Sequence, residues 1–85
     1  MAPETTAQRL RTVLLRTLDL PAETDCDALR YQQEPRWDSV AHLQLIGELE
    51  EEFGVTIGNE DVLHMTSYAD ILEIIHRLDS GRPNA

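Results

Sequence analysis

One cysteine, Cys26, occurs in 85 residues. No internal disulfide can form, a single thiol supplies no metal cluster, and a reducing cytoplasm is the expected compartment. Cations are also scarce, with seven basic residues against sixteen acidic ones and a net charge of −9. An acidic field repels nucleic-acid phosphates and anionic membrane, so neither is an expected partner. No window approaches the roughly 18 apolar residues of a membrane span. Residues 1–12 carry charges and no long apolar run, so no signal peptide is expected there. There is no Gly-rich linker, no internal repeat and no G-x-S-x-G elbow. With no paired catalytic groups, an enzyme is the weakest of the functional classes.

What is present describes one small domain over 1–85, with an ordered core at about 5–79 and frayed termini. A chain of this length has little material for a large enclosed active site. Apolar content of 41% with 27% charged residues is ordinary for a folded domain. The charge is unevenly placed. Residues 1–18 carry net +2, whereas residues 19–61 hold twelve acids against Arg30 and Arg36, net −10. Solubility explains a net charge but not its clustering.

Met1–Glu4 reads as a frayed start, and Thr5 or Thr6 can cap a first helix. Ala7, Leu10, Val13, Leu14, Thr17 and Leu18 then recur as one apolar stripe. Leu20-Pro21 is expected to close this helix, because the residue before proline disfavours helical geometry. Residues 21–38 form a long polar connection anchored by Leu29, Tyr31 and Trp37. A second helix runs from Ser39 to Phe53, with Asp38 as its N-cap. At about 100° per residue, Leu45, Ile46, Leu49 and Phe53 share one face, with His42 inside that arc. Val40, Gln44, Gly47, Glu48 and Glu51 share the other, and Gly54 ends the helix. Val55-Thr56-Ile57 is too short to make a sheet. Asn59 is a candidate cap for a short third helix with Val62, Leu63 and Met65 as its apolar side. Ser67 and Asp70 resemble a capping box for a last stripe of Tyr68, Ile71, Leu72, Ile75 and Leu78. Gly81–Ala85 is a tail. The expected fold is all-α, a small four-helix bundle of three longer helices and one short one.

Ser39 is the candidate functional residue. A hydroxyl in the first turn of a helix lies where negative charge is favoured, so a phosphate ester formed there would be stabilised by free N–H groups. His42 projects to the core face, so no base is placed to make Ser39 a catalytic nucleophile. From residue chemistry alone, a plain Asp38-Ser39 helix cap is the commoner reading.

Asp38-Ser39-Val40, followed by Leu43, Leu45, Leu49-Glu50-Glu51-Glu52-Phe53-Gly54-Val55 and Ile57, resembles the acyl carrier proteins. The family pattern is D-S-L/M/V at the start of the second helix, an apolar–acidic run, and a short I-x-I-like strand. The match is strong over residues 36–57 and weaker over about 6–78. The resemblance implies that Ser39 receives a 4′-phosphopantetheine arm from coenzyme A through a separate phosphopantetheinyl transferase. The arm's thiol would carry acyl groups as thioesters. Asp38 would be the motif and cap residue. Val40, Gln44, Gly47, Glu48 and Glu51 would meet acyl-loading and acyl-processing enzymes that bear basic patches. A monomer is implied.

Five residues depart from the pattern, at four places. Trp37 stands where a small residue is frequent, and His42 where a small polar one is usual. Ala41 and Gln44 are neutral where fatty-acid carriers often have acids, and Gly58 replaces a common proline. W-D-S-x-x-H-L-x-L-I looks like discrete carriers of specialised pathways, polyketide or related, and Met1 with a plain tail points the same way. A peptidyl carrier is the near alternative, although its G-G-x-S lead-in is absent. A non-covalent acidic helical adaptor is the second class. Taken singly, Trp37 is expected to anchor the loop on the bundle and His42 to be a half-buried helix histidine. Part of Glu50-Glu51-Glu52 is a solvated face. Asp25-x-Asp27 lacks the remaining ligand spacing of a calcium loop.

Overall fold

A computed structural model describes residues 5–80, and the start and tail expected at 1–4 and 81–85 lie outside the described residues. Four helices form: α1 (Thr6–Leu18), α2 (Ser39–Phe53), α3 (Asn59–His64) and α4 (Tyr68–Ser80), with a single 3₁₀ turn at Cys26–Ala28. No strand is present among the described residues, and Val55–Ile57 pairs with no other extended segment. The β-like feature is one isolated antiparallel bridge, Arg30 with Ser67. The strand that the resemblance implied is therefore not there.

Helix α1 starts in a full capping box. Thr5 Oγ1 accepts from the Gln8 N–H at 3.1 Å, and the Thr5 N–H donates to Gln8 Oε1 at 2.8 Å. Its buried face is Leu10, Val13, Leu14, Leu15 and Leu18. Leu15 lies off the expected stripe but is buried because α1 packs against both α2 and α4. The helix stops before Leu20-Pro21. Asp19 turns left-handed at φ 56°, and the Leu20 N–H reaches back to the Leu15 carbonyl at 2.9 Å. Capping geometry, not the proline, ends the helix.

Helix α2 is capped by Asp38, whose Oδ1 accepts the Ala41 N–H at 2.9 Å. It buries His42, Leu45, Ile46, Leu49 and Phe53. Gly54 closes it at φ 63°, a backbone conformation that costs a side-chain-bearing residue more. Helix α3 is preceded by Gly58 with no side-chain cap, and Asn59 is its first helical residue rather than its cap. None of its residues is buried. Met65, immediately after it, is fully buried and supplies the anchor that Val62 and Leu63 were expected to share. At the start of α4, Ser67 Oγ accepts the Asp70 N–H at 3.2 Å. The Asp70 carboxylate takes the Thr66 hydroxyl at 2.9 Å instead of completing the box. Ile71, Ile74 and Ile75 are the buried face of α4.

The connection between α1 and α2 is packed onto this bundle. Cys26, Leu29 and Trp37 are buried, Trp37 completely. Gln32 takes a left-handed conformation, φ 67°, and its N–H donates to the Trp37 carbonyl at 3.0 Å. That reversal drives the indole inward. Among the described residues no helix is long and apolar enough to cross a membrane.

Candidate functional site

Ser39 is exposed and is the first residue of α2. The leading N–H groups of a helix have no partner within it. Asp38 takes that of Ala41, which leaves those of Ser39 and Val40 at the helix start. Ser39 Oγ lies 3.3 Å from the Tyr31 hydroxyl, a long and hence weak contact. Tyr31 is held from two sides. Its N–H donates to the Thr66 carbonyl at 3.0 Å, and its ring stacks on His42 with centroids 4.5 Å apart and planes 28° apart.

His42 is 5% exposed, more deeply buried than the half-buried histidine expected from sequence. The Trp37 indole N–H, which can only donate, meets His42 Nδ1 at 3.0 Å. The ring proton therefore sits on Nε2, which donates to the Val62 carbonyl at 3.0 Å. The loop, α2 and α3 are joined through one imidazole. Both of its nitrogens are occupied, so His42 gives Ser39 no base, and Ser39 Oγ has only the Tyr31 hydroxyl as a side-chain neighbour within hydrogen-bond reach among the described residues.

A mainly apolar groove of about 290 Å³ opens beside Ser39, between α2 and α3. Tyr31, Ser39 and His42 form one end, and Leu43, Val62, Leu63 and Thr66 form the rest. Leu43 and Leu63 at its rim are 69% and 77% exposed, and Val40, one turn before Leu43, is 67% exposed. The sequence placed Leu43 in the carrier-like motif and Leu63 on the apolar side of the third helix, but gave neither a place at this site, because the groove forms only when α2 and α3 come together. A larger depression of about 780 Å³ between α3 and α4 is of mixed character, is bordered by the Arg77–Asp61 ion pair, and does not include Ser39.

The outward face of α2 carries Val40, Gln44, Gly47 and Glu51 in exposed positions and Glu48 half-buried. Gln44, Gly47, Glu48 and Glu51 border a shallow depression with Arg16 and Thr17 of α1. A side chain at Gly47 would meet open space, so nothing in the packing requires glycine there. The acids of this helix are mostly engaged. Glu48 pairs with Arg16 at 3.2 Å and Glu52 with Arg9 at 3.0 Å. Glu50 Oε2 accepts the Ile57 N–H at 2.8 Å. Glu51 alone of the four faces outward uncommitted.

The chain has no lysine, and its cations are arginines. All six described arginines bind within the molecule. Arg9, Arg16 and Arg77 hold carboxylates, while Arg11, Arg30 and Arg36 hold the carbonyls of Ala22, Asp27 and Asp19. Three of the described cations are thus paired with acids, and the other three are held on backbone carbonyls.

Two groups elsewhere are perturbed. Burial pushes the Cys26 thiol up, with Arg11 opposing and Asp27 and Asp25 adding to the rise. Burial likewise raises the Tyr68 phenol, whose hydroxyl donates to the Ala7 carbonyl at 2.8 Å. Asp25 Oδ1 accepts the Asp27 N–H at 3.1 Å, which gives that carboxylate a structural role in the turn. No group of three or more His, Cys, Asp or Glu residues is placed to hold a metal ion among the described residues.

The site thus belongs to a small helical bundle that displays one serine at a helix start beside an apolar groove. The chain matches no protein-family model and no curated protein.

Proposed function

We propose that this chain is an acyl carrier protein, bearing a 4′-phosphopantetheine arm on Ser39 and moving thioester-bound acyl groups between enzymes of a specialised biosynthetic pathway. The observation that carries the reading is Ser39 itself: exposed, first in α2, capped by Asp38 and opening onto an apolar groove. The residues fit the arm. No charged side chain other than Asp38 adjoins the hydroxyl along the chain toward the helix, and Asp38 is turned onto the Ala41 N–H.

The arm, when attached, supplies a thiol that forms thioesters. Ser39 supplies the oxygen for the phosphodiester. Its Oγ bonds to the phosphorus nearest pantetheine, the pyrophosphate P–O bond of coenzyme A breaks, the nucleotide leaves as the bisphosphate and the hydroxyl proton passes to the transferase. The helix start then favours the resulting negative charge. A tethered acyl group meets its enzymes at an effective concentration of roughly millimolar. In this reading Val40, Gln44, Gly47 and Glu51 are the face offered to those enzymes. Glu48 joins them only when Arg16 is displaced.

The deciding experiment is intact-mass measurement after incubation with coenzyme A, magnesium and a broad-specificity phosphopantetheinyl transferase. Wild type should gain one arm and Ser39→Ala none. An unmodified wild type, or an alanine variant that gains the same mass, would leave a non-covalent acidic adaptor as the better description.

A further inference from the structure

We infer that Tyr31 and His42, backed by Trp37, determine cargo specificity: they close the inner end of the groove beside Ser39 and confine the bound acyl group to the surface, so that the chain accepts short acyl units. This rests on the carrier reading and adds to it the class of cargo.

The groove is about 290 Å³ and has Ser39 in its wall, so a flexible tether rooted there can fold its far end back into it. Leu43, Val62 and Leu63 give that end apolar contact. A longer chain has to go somewhere beyond. Tyr31 and His42 stand in the groove wall, and behind them the fully buried Trp37 completes a set of three rings in mutual contact, part of the same core as the fully buried Leu45 and Ile71. Tyr31 stacks on His42 with centroids 4.5 Å apart, and Trp37 lies with its ring centroid 6.1 Å from each of the other two.

These rings are not adaptable filling. Trp37 is fully buried and fixed by its bond to His42 Nδ1. His42 is fixed by its second bond to the Val62 carbonyl, which also holds α3. Moving the wall would strand a buried indole N–H, an imidazole nitrogen and a backbone carbonyl together, and buried polar groups left unpaired are strongly disfavoured. Methylene groups at the open rim gain no comparable enclosure. Contact with the protein should therefore grow with chain length only until the groove is full.

The test uses the full chain loaded from acetyl-, butyryl-, octanoyl- and dodecanoyl-coenzyme A by the transferase, with the added mass confirmed for each. Methyl NMR shifts and the melting temperature are then read against chain length. The expected result is that Leu43 and Leu63 methyls respond to butyryl and change little for longer chains. Leu45 and Ile71 methyls should stay unmoved throughout, and the melting temperature should level off. Core methyl shifts that grow with chain length, with a melting temperature that climbs through dodecanoyl, would overturn the inference. In His42→Ala the cutoff should rise: chains longer than the wild-type groove holds should enter, and the Leu45 and Ile71 methyls should begin to respond to them. An unchanged cutoff in that variant would also overturn the assignment, and Tyr31→Ala, at a half-buried position, supplies the same test if the His42 variant does not fold. Absence of any added mass sinks the carrier reading itself, a result distinct from a loaded protein with a penetrable core.

Discussion

Trp37 and His42 carry more of this structure than their neighbours. The indole N–H has its acceptor in His42 Nδ1, and the imidazole passes the connection on to the Val62 carbonyl. Trp37→Phe removes the donor, leaves Nδ1 buried and unpaired, and opens space in the core. Together these should cost about 2–4 kcal/mol, read as a lower urea midpoint. Tyr31→Phe removes only a long contact to an exposed hydroxyl and should change stability by less than about 0.5 kcal/mol. The two variants separate the wall's support from its surface. Sequence reading found both residues, with Trp37 as a loop anchor and His42 inside the apolar arc. It did not find them as a pair. The pairing depends on the chain reversal at Gln32, and glutamine gives no signal of a left-handed backbone. Cys26 lies in the same buried core as Trp37. Its thiol is buried and holds its proton above the ordinary 9.0. Alkylation of the folded chain at mildly alkaline pH should be much slower than in denaturant, and equal rates would show an open site.

At the scale of the element, α2 divides as its periodicity implies, but its acids do not act alike. Glu50 accepts the Ile57 N–H and so holds the segment after the helix. Glu50→Ala should lower stability by about 1–2 kcal/mol, whereas Glu51→Ala should stay within about 0.5 kcal/mol. Thermal melts would check the contrast. The Arg16–Glu48 pair is half-exposed, so its net contribution to stability is small, about 0–1 kcal/mol. Its effect should appear in recognition instead. Arg16→Ala frees Glu48 and should lower the transferase KM, most clearly at low salt. Glu51→Lys should raise it. An unchanged KM in both variants would reduce the acidic face to a solubilising one. The helix and its cap were legible because Asp38, the apolar spacing and Gly54 all agree. The pairing of carboxylates with α1 was not, since a sequence shows charges but not which arginine crosses to which acid. The C-terminal end of α1 and the start of α3 were misplaced for a related reason. Asp19 adopts a conformation usually left to glycine, and Gly58 precedes α3 without a side-chain bond.

For the molecule as a whole, one buried acid, Cys26, and one partly buried acid, Tyr68, shape the response to high pH. Tyr68 and Cys26 are neutral when protonated, and both hold their protons more tightly folded than unfolded. Their contribution is complete below the ordinary values of 9.0 and 10.0 and declines as pH rises beyond them. Stability should therefore fall progressively above about pH 9. Tyr68→Phe, which also loses the tie from α4 to Ala7, should be less stable at neutral pH but should fall less steeply above pH 10. Urea midpoints across pH 7–11 would show parallel curves if the phenol is not responsible. Trp37 has one more consequence. It is the sole tryptophan of the chain, fully buried, and it stands behind the groove rather than in it. The protein thus contains its own optical probe: ultraviolet emission from a single indole, with no dye attached, reports whether the core behind the groove stays dry as the groove fills and empties.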